Sequence, residues 1–140
     1  MESRLTASAL LACALCASGP ALADTQCNDN YTLDGNFFKG RQFQSWGSYP
    51  EVSFDEAYRR AYANVAKQGF NIKQADKDAG VISAEQNVIG SGKVVPLNVI
   101  VEPEGSGSRV SVSFTTTGGL AVGEDSVKDG FCQILNAVAR

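Results

Sequence analysis

The chain has 140 residues, a formal charge of −3, 44% hydrophobic residues and 19% charged residues. That balance fits one small globular domain, excludes a disordered chain and argues against a sequence-independent nucleic-acid binder. There is no histidine, so every mechanism that needs an imidazole base, relay or metal ligand is excluded.

The first segment carries an export pattern. Met1 to Arg4 is a short charged start, Leu5 to Ala17 is apolar, and Ala21-Leu22-Ala23 is a small-x-small cleavage site behind Gly19-Pro20. This is the three-part layout of a secretory signal peptide. The apolar run is too short and interrupted for a membrane span, which needs about 20 residues. Residues 1–23 are therefore expected to be removed, leaving a mature chain from Asp24 with no transmembrane segment and a periplasmic or secreted address. Leu10-Leu11-Ala12-Cys13 loosely resembles a lipobox, which would place a lipid anchor on Cys13 instead. Cys13 and Cys16 also form a C-x-x-C pair, but inside the discarded segment rather than beside a folded βαβ pattern.

Removing the signal leaves Cys27 and Cys132. Two cysteines in an exported chain suggest one disulfide. It would staple the lead-in, residues 24–40, to the last helix. Two thiolates without histidine leave a zinc site unfilled.

Asp24 to Gly40 is rich in Asn, Asp and Gly and reads as extended. Arg41 to Tyr49 reads as a first strand, ended by Pro50. Ser53-Phe54-Asp55-Glu56 is a capping box, in which Ser53 accepts from the Glu56 N–H and Glu56 reaches back. Phe54, Ala57, Tyr58, Ala61 and Val65 then fall on one helical face, and Gly69 stops the helix at Gln68. Arg59, Arg60, Asn64 and Lys67 are expected to face solvent. From Phe70 the period changes to two. Four β-branched runs follow, separated by turns at residues 76–80, 90–92 and 105–107, the pattern of an antiparallel meander. Val127, Phe131, Ile134 and Val138 form a last helical stripe, capped by Asp125 or Ser126, with Cys132 on its flank. The expected fold is α+β: a single antiparallel sheet with two helices on one face, order β-α-β-β-β-β-α, over residues 41–140.

Ser53-Phe54 opening a helix, Gly69-Phe70-x-Ile72 after it, Asp76, and Gly80-Val81-Ile82-x-Ala84 together resemble the helix-grip domain of BamC-type envelope lipoproteins. The resemblance covers Ser53 to Ala84 directly and the remainder by element order. It implies a sheet that grips helices, a periplasmic address and binding rather than catalysis. This chain has one such domain where those lipoproteins have two, and no functional motif matches, so no binding residue is carried over.

Catalytic groups are sparse. The pairs Asp76/Asp78 and Glu102/Glu104 lie beside Gly or Pro in turns, where turn chemistry accounts for them. Asp76-x-Asp78-x-Gly80 departs from a calcium loop by placing Gly fifth. Ser91 and Lys93 could form a dyad, but Gly90-Ser91-Gly92-Lys93 is not a P-loop. Asn30-Tyr31-Thr32 is a glycosylation sequon that matters only in a eukaryotic host. The aromatic residues Phe37, Phe38, Phe43, Trp46 and Tyr49 crowd one stretch, either covering the core or, through Phe37, Phe38, Trp46 and Tyr49, forming a recognition patch. The sequence thus points to a non-enzymatic exported domain with no cofactor that binds another envelope or exported protein. The alternative is a small inhibitor or immunity protein against an exported hydrolase or toxin. Cleavage after Ala23 predicts a mature chain beginning at Asp24, read by intact-mass spectrometry of the protein released by osmotic shock. A mass retaining Met1, or a lipid on Cys13, would overturn it.

Overall fold

Period-two alternation across the middle of the chain produces one open antiparallel sheet. The computed structural model describes residues 21–140; the export segment with Cys13 and Cys16 lies outside the described residues. The elements run α1 (Ala21–Asp29), β1 (Thr32–Asn36), β2 (Gly40–Tyr49), α2 (Phe54–Lys67), β3 (Asn71–Asp76), β4 (Val81–Val88), β5 (Lys93–Glu104), β6 (Gly107–Thr117) and α3 (Glu124–Val138). The six strands lie in the order β1-β2-β6-β5-β4-β3. The expected α+β class is observed, and from β2 onward so is the expected element order.

One face of the sheet is apolar. Phe43, Ile82, Ala84, Val95, Leu97, Val99, Val101, Val110, Val112 and Phe114 all point to it and are buried. Register stacks them in rows: Ile82 beside Val99 beside Val112, and Leu97 beside Phe114 beside Phe43. The helices bury Ala57, Ala61 and Val65 of α2, and Phe131, Ile134, Leu135 and Val138 of α3, against this face. The opposite face carries Trp46, Ser83, Asn98, Ser111 and Ser113 and has no covering layer among the described residues.

The lead-in differs from the expected extended segment. Residues 24–40 contain most of α1 and all of β1, which forms a hairpin with β2. Tertiary contacts override the local composition. β1 pairs only with Gly40–Gln44, so the free edge of β2 beyond it needs other partners. Side chains from the α1 region supply them. Gln26 Oε1 accepts from the Ser48 N–H at 2.7 Å, and its Nε2 donates to Ser48 O at 3.3 Å. Asn30 Nδ2 donates to Trp46 O at 2.9 Å.

The expected staple is present. Cys27 and Cys132 are bonded with their Cα atoms 5.4 Å apart, across a sequence separation of 105. Cys132 is buried where α1 packs directly on α3.

Three local expectations are corrected. Ser53 does accept from the Glu56 N–H, but Glu56 does not reach back. Its carboxylate is held by Arg59 and by Arg60 Nε at 2.7 Å, and the hydrogen bonds from these two guanidinium groups lower its pKa to about 2. Arg60 also donates Nη1 to Val138 O at 2.8 Å, so it ties α2 to the C-terminus of α3 instead of facing solvent. The N-cap of α3 is Gly123, not Asp125 or Ser126, and it makes no side-chain cap hydrogen bond. Glu124 and Asp125 fall in the first turn, where the helix dipole favours carboxylates.

Removing the staple in a Cys27→Ala/Cys132→Ala variant should lower the unfolding free energy by about 2–5 kcal/mol, seen as a lower urea midpoint. An unchanged midpoint would mean that noncovalent contacts alone hold α1. Tyr49 offers a pH test. Its hydroxyl donates to Leu135 O at 2.7 Å, and burial pushes its ionisation up. Burial, and next the Glu124 charge, raise Tyr31 to about 12. The unfolded phenols ionise near 10, so this contribution is complete below about pH 10 and is lost as pH rises further. Alkaline unfolding should therefore begin above about pH 10. Tyr49→Phe should cost about 1–2 kcal/mol at pH 7 and flatten the alkaline decline.

Candidate functional site

The apolar face is not filled at one end. A cavity of about 300 Å³ lies between the first half of α3 and the sheet, lined by Gln68, Phe70, Gln86, Leu97, Phe114, Val122, Gly123, Ser126, Val127, Gly130, Phe131 and Ile134. Its volume is at the lower limit of ligand pockets. Leu97 and Phe114 present adjacent strand positions to it. Phe131 and Ile134 come from the buried stripe of α3, and Val127 from the turn before them. The Gly118–Gly123 segment brings Val122 and Gly123 in from the other side.

Polar groups in the lining are few and neutral. Gln68 Nε2 donates to Asn64 Oδ1 at 2.7 Å and to Gly130 O at 3.2 Å. Gly130 leaves this corner without a side chain: a Cβ there would make ordinary contact with Gln68 Oε1 at 3.5 Å. Gln86 and Ser126 complete the polar set. No lining residue is ionisable. The site can desolvate an apolar body and orient it through amide and hydroxyl groups. It has no positioned acid, base or nucleophile–base pair.

The four aromatic residues expected to form a recognition patch do not converge. Phe37 and Phe38 occupy the β1–β2 turn and are exposed, with rings 5.6 Å apart edge to face. Trp46 lies on the uncovered sheet face, with the Arg109 guanidinium 3.8 Å from its ring centroid. Tyr49 is core, buried beneath α3 by its bond to Leu135. It alternates onto the helix side of β2, so it cannot share a surface with Trp46.

Among the remaining sequence candidates, Asp76 and Ser91 have structural duties. Asp76 Oδ1 accepts from the Ala79 N–H at 2.9 Å and shapes its turn. Ser91 Oγ donates to Val88 O, while Lys93 Nζ reaches Gly118 O at 3.5 Å, so the two side chains do not form a dyad. Glu102 and Glu104 are exposed on β5. Among the described residues no three His, Cys, Asp or Glu groups gather to hold a metal, and no described helix is long and apolar enough to cross a membrane.

The cavity itself went unread in the sequence. Its one local signal is Gly130, a glycine on the inward side of α3 three residues after Val127. A glycine inside a helix costs about 1 kcal/mol relative to alanine, and here it removes the side chain that would fill the space.

No protein family and no curated protein matches the sequence. Solved structures do match the fold. CalU16 from Micromonospora echinospora is 12% identical over 78% of this chain and 80% of its own, with a TM-score of 0.55. EF2215, a conserved protein of unknown function from Enterococcus faecalis, is 7% identical over 86% and 81%, with a TM-score of 0.52. The likeness is one of fold alone, of the helix-grip type. They support the helix-grip fold that the sequence resemblance implied, and no BamC relative is shown.

Proposed function

We propose that this chain is an exported, non-catalytic binding domain whose ligand is a small, predominantly apolar molecule held in the cavity under α3. The carrying observation is the lining: an apolar space of about 300 Å³ with neutral amide and hydroxyl groups and no ionisable residue. Such a site gains affinity from apolar burial and orientation from a few hydrogen bonds. A periplasmic or secreted address is supported by the tripartite N-terminal segment and by the disulfide, which persists in oxidising compartments. The protein partner expected from the sequence would have to engage Phe37 and Phe38 without Tyr49, and no observation favours the inhibitor reading over it.

The test uses the neutral apolar fluorophore N-phenyl-1-naphthylamine. It should bind saturably at one site per chain. Val127→Trp, with Gly130→Leu as a second filling variant, should weaken it about tenfold or more while the thermal midpoint stays within a few degrees. Equal binding by both folded variants, or no saturable binding by the unaltered protein, would overturn the reading.

A further inference from the structure

Among the described residues, the two most exposed large apolar side chains, Phe38 and Ile89, sit on turns at one end of the sheet. Strand directions bring the β1–β2 turn, the β4–β5 turn, the end of β6 and the start of α3 to that same end. Phe38 is 86% exposed and Ile89 fully so, with Phe37 and Val94 nearly half exposed. The two turns are physically linked. Lys93 Nζ reaches Gly118 O, the Gly119 N–H donates to Phe37 O at 2.7 Å, and a Cβ on Gly118 would collide with Phe38 O.

Both tips are held in shape. Asn36 Oδ1 accepts from the N–H groups of Phe38 and Lys39, each at 3.0 Å. Ser91 Oγ donates to Val88 O at 2.9 Å and accepts from the Lys93 N–H at 3.0 Å. Turns of this kind call for Gly, Asn, Asp or Ser; bulky apolar tips are not part of that requirement. Each tip also carries an ammonium, Lys39 next to Phe38 and Lys93 next to Val94, both exposed. The carboxylates of Glu124 and Asp125 at this end belong to the first turn of α3, in the helix layer, and Asp34 lies back along β1.

We propose that this end docks on a phospholipid bilayer, with Phe38 and Ile89 entering the interface and Lys39 and Lys93 facing lipid phosphates. The tips stand on separate turns about three strand spacings apart, roughly 14 Å. Isolated apolar groups with single flanking cations suit a fluid interface, where each inserts on its own. A protein partner needs a contiguous, shape-matched patch. Because Phe70, Gln86, Val122 and Gly123 line the cavity at this same end, docking would turn the cavity toward the membrane. That last step rests on the ligand reading above; the docking itself does not.

The test is co-sedimentation of the disulfide-bonded protein with vesicles of phosphatidylcholine alone and of phosphatidylcholine with a quarter phosphatidylglycerol. The unaltered protein should partition onto both, more onto the anionic ones. Phe38→Ser/Ile89→Ser should reduce partitioning by roughly tenfold or more on both. Lys39→Gln/Lys93→Gln should remove the preference for anionic vesicles, about fivefold per lysine at most. Circular dichroism confirms that each variant is folded. Absence of sedimentation, or equal sedimentation of the Phe38/Ile89 variant, would overturn the proposal. So would self-association in sedimentation equilibrium, or a stable protein complex from crosslinked cells, that the Phe38/Ile89 variant abolishes while vesicle binding is absent. Val127→Trp should bind vesicles normally, so failure of the fluorophore experiment and failure of docking are told apart.

Discussion

A length mismatch between helix and strand governs this structure. β5 has 12 residues and β6 has 11, roughly 40 and 36 Å of extended chain. α2 has 14 residues and α3 has 15, roughly 21 and 23 Å. Neither helix can cover a central strand from end to end. One end of the apolar face is closed by backbone. Ser108 Oγ donates to Val52 O at 2.9 Å, and Gly107 lies so close to Tyr49 O and Pro50 that a Cβ would collide with them. Gly80, at φ +71°, takes its backbone against Val101 O in the same way. At the other end α2 has stopped before Gly69 and α3 is just beginning. The shortfall there is the cavity.

The staple addresses the neighbouring side of the same problem. Of α2 and α3, it is chiefly α3 that reaches β2. α1 covers that flank, and it has little reason to form alone, since it is nine residues long with a mean composition that is not apolar and isolated helices of that length are marginal. Its stability is tertiary. The Cys27–Cys132 bond fixes it to α3, Ser45 Oγ donates to Cys27 O at 2.8 Å, and Gln26 replaces a missing strand neighbour at Ser48. In the chain-entropy picture a loop this long contributes about 4.7 kcal/mol before strain is subtracted.

This division explains what the sequence made legible. Periodicity reports burial that recurs along an element, so β2, α2, the four meander strands and α3 could be read to within a few residues. α1 and β1 could not, because Asp24–Gly40 is an Asn, Asp and Gly-rich stretch whose conformation is set by partners far along the chain. The cysteine pair was readable because disulfide chemistry leaves few alternatives for the two thiols that remain once the expected signal segment is set aside. The aromatic cluster was misleading because adjacency in sequence is not adjacency in space: Trp46 and Tyr49 differ by an odd number of strand positions and take opposite faces. The cavity was the least legible feature. It is made by what is missing beyond the end of α2, and only Gly130 marks it.

The chemistry of the cavity and the placement of the turn tips constrain each other. A lining with no ionisable group offers nothing to hold a charged, water-soluble molecule, and three neutral polar side chains, Gln68, Gln86 and Ser126, suffice only to orient a mostly apolar one. A ligand of that kind is poorly soluble, so its concentration in free solution is low and its supply is limited by where it partitions. On the proposed reading, a cavity at the end of the sheet that carries the apolar tips would meet such a ligand at the interface where it accumulates, without requiring the closed end of the sheet to open. The fixed Asn36 and Ser91 turns serve this arrangement: a tip already ordered loses less conformational entropy when its side chain leaves water. The short helices that fail to cover the sheet and the turns that present its uncovered apolar groups thus act at the same end of one layer.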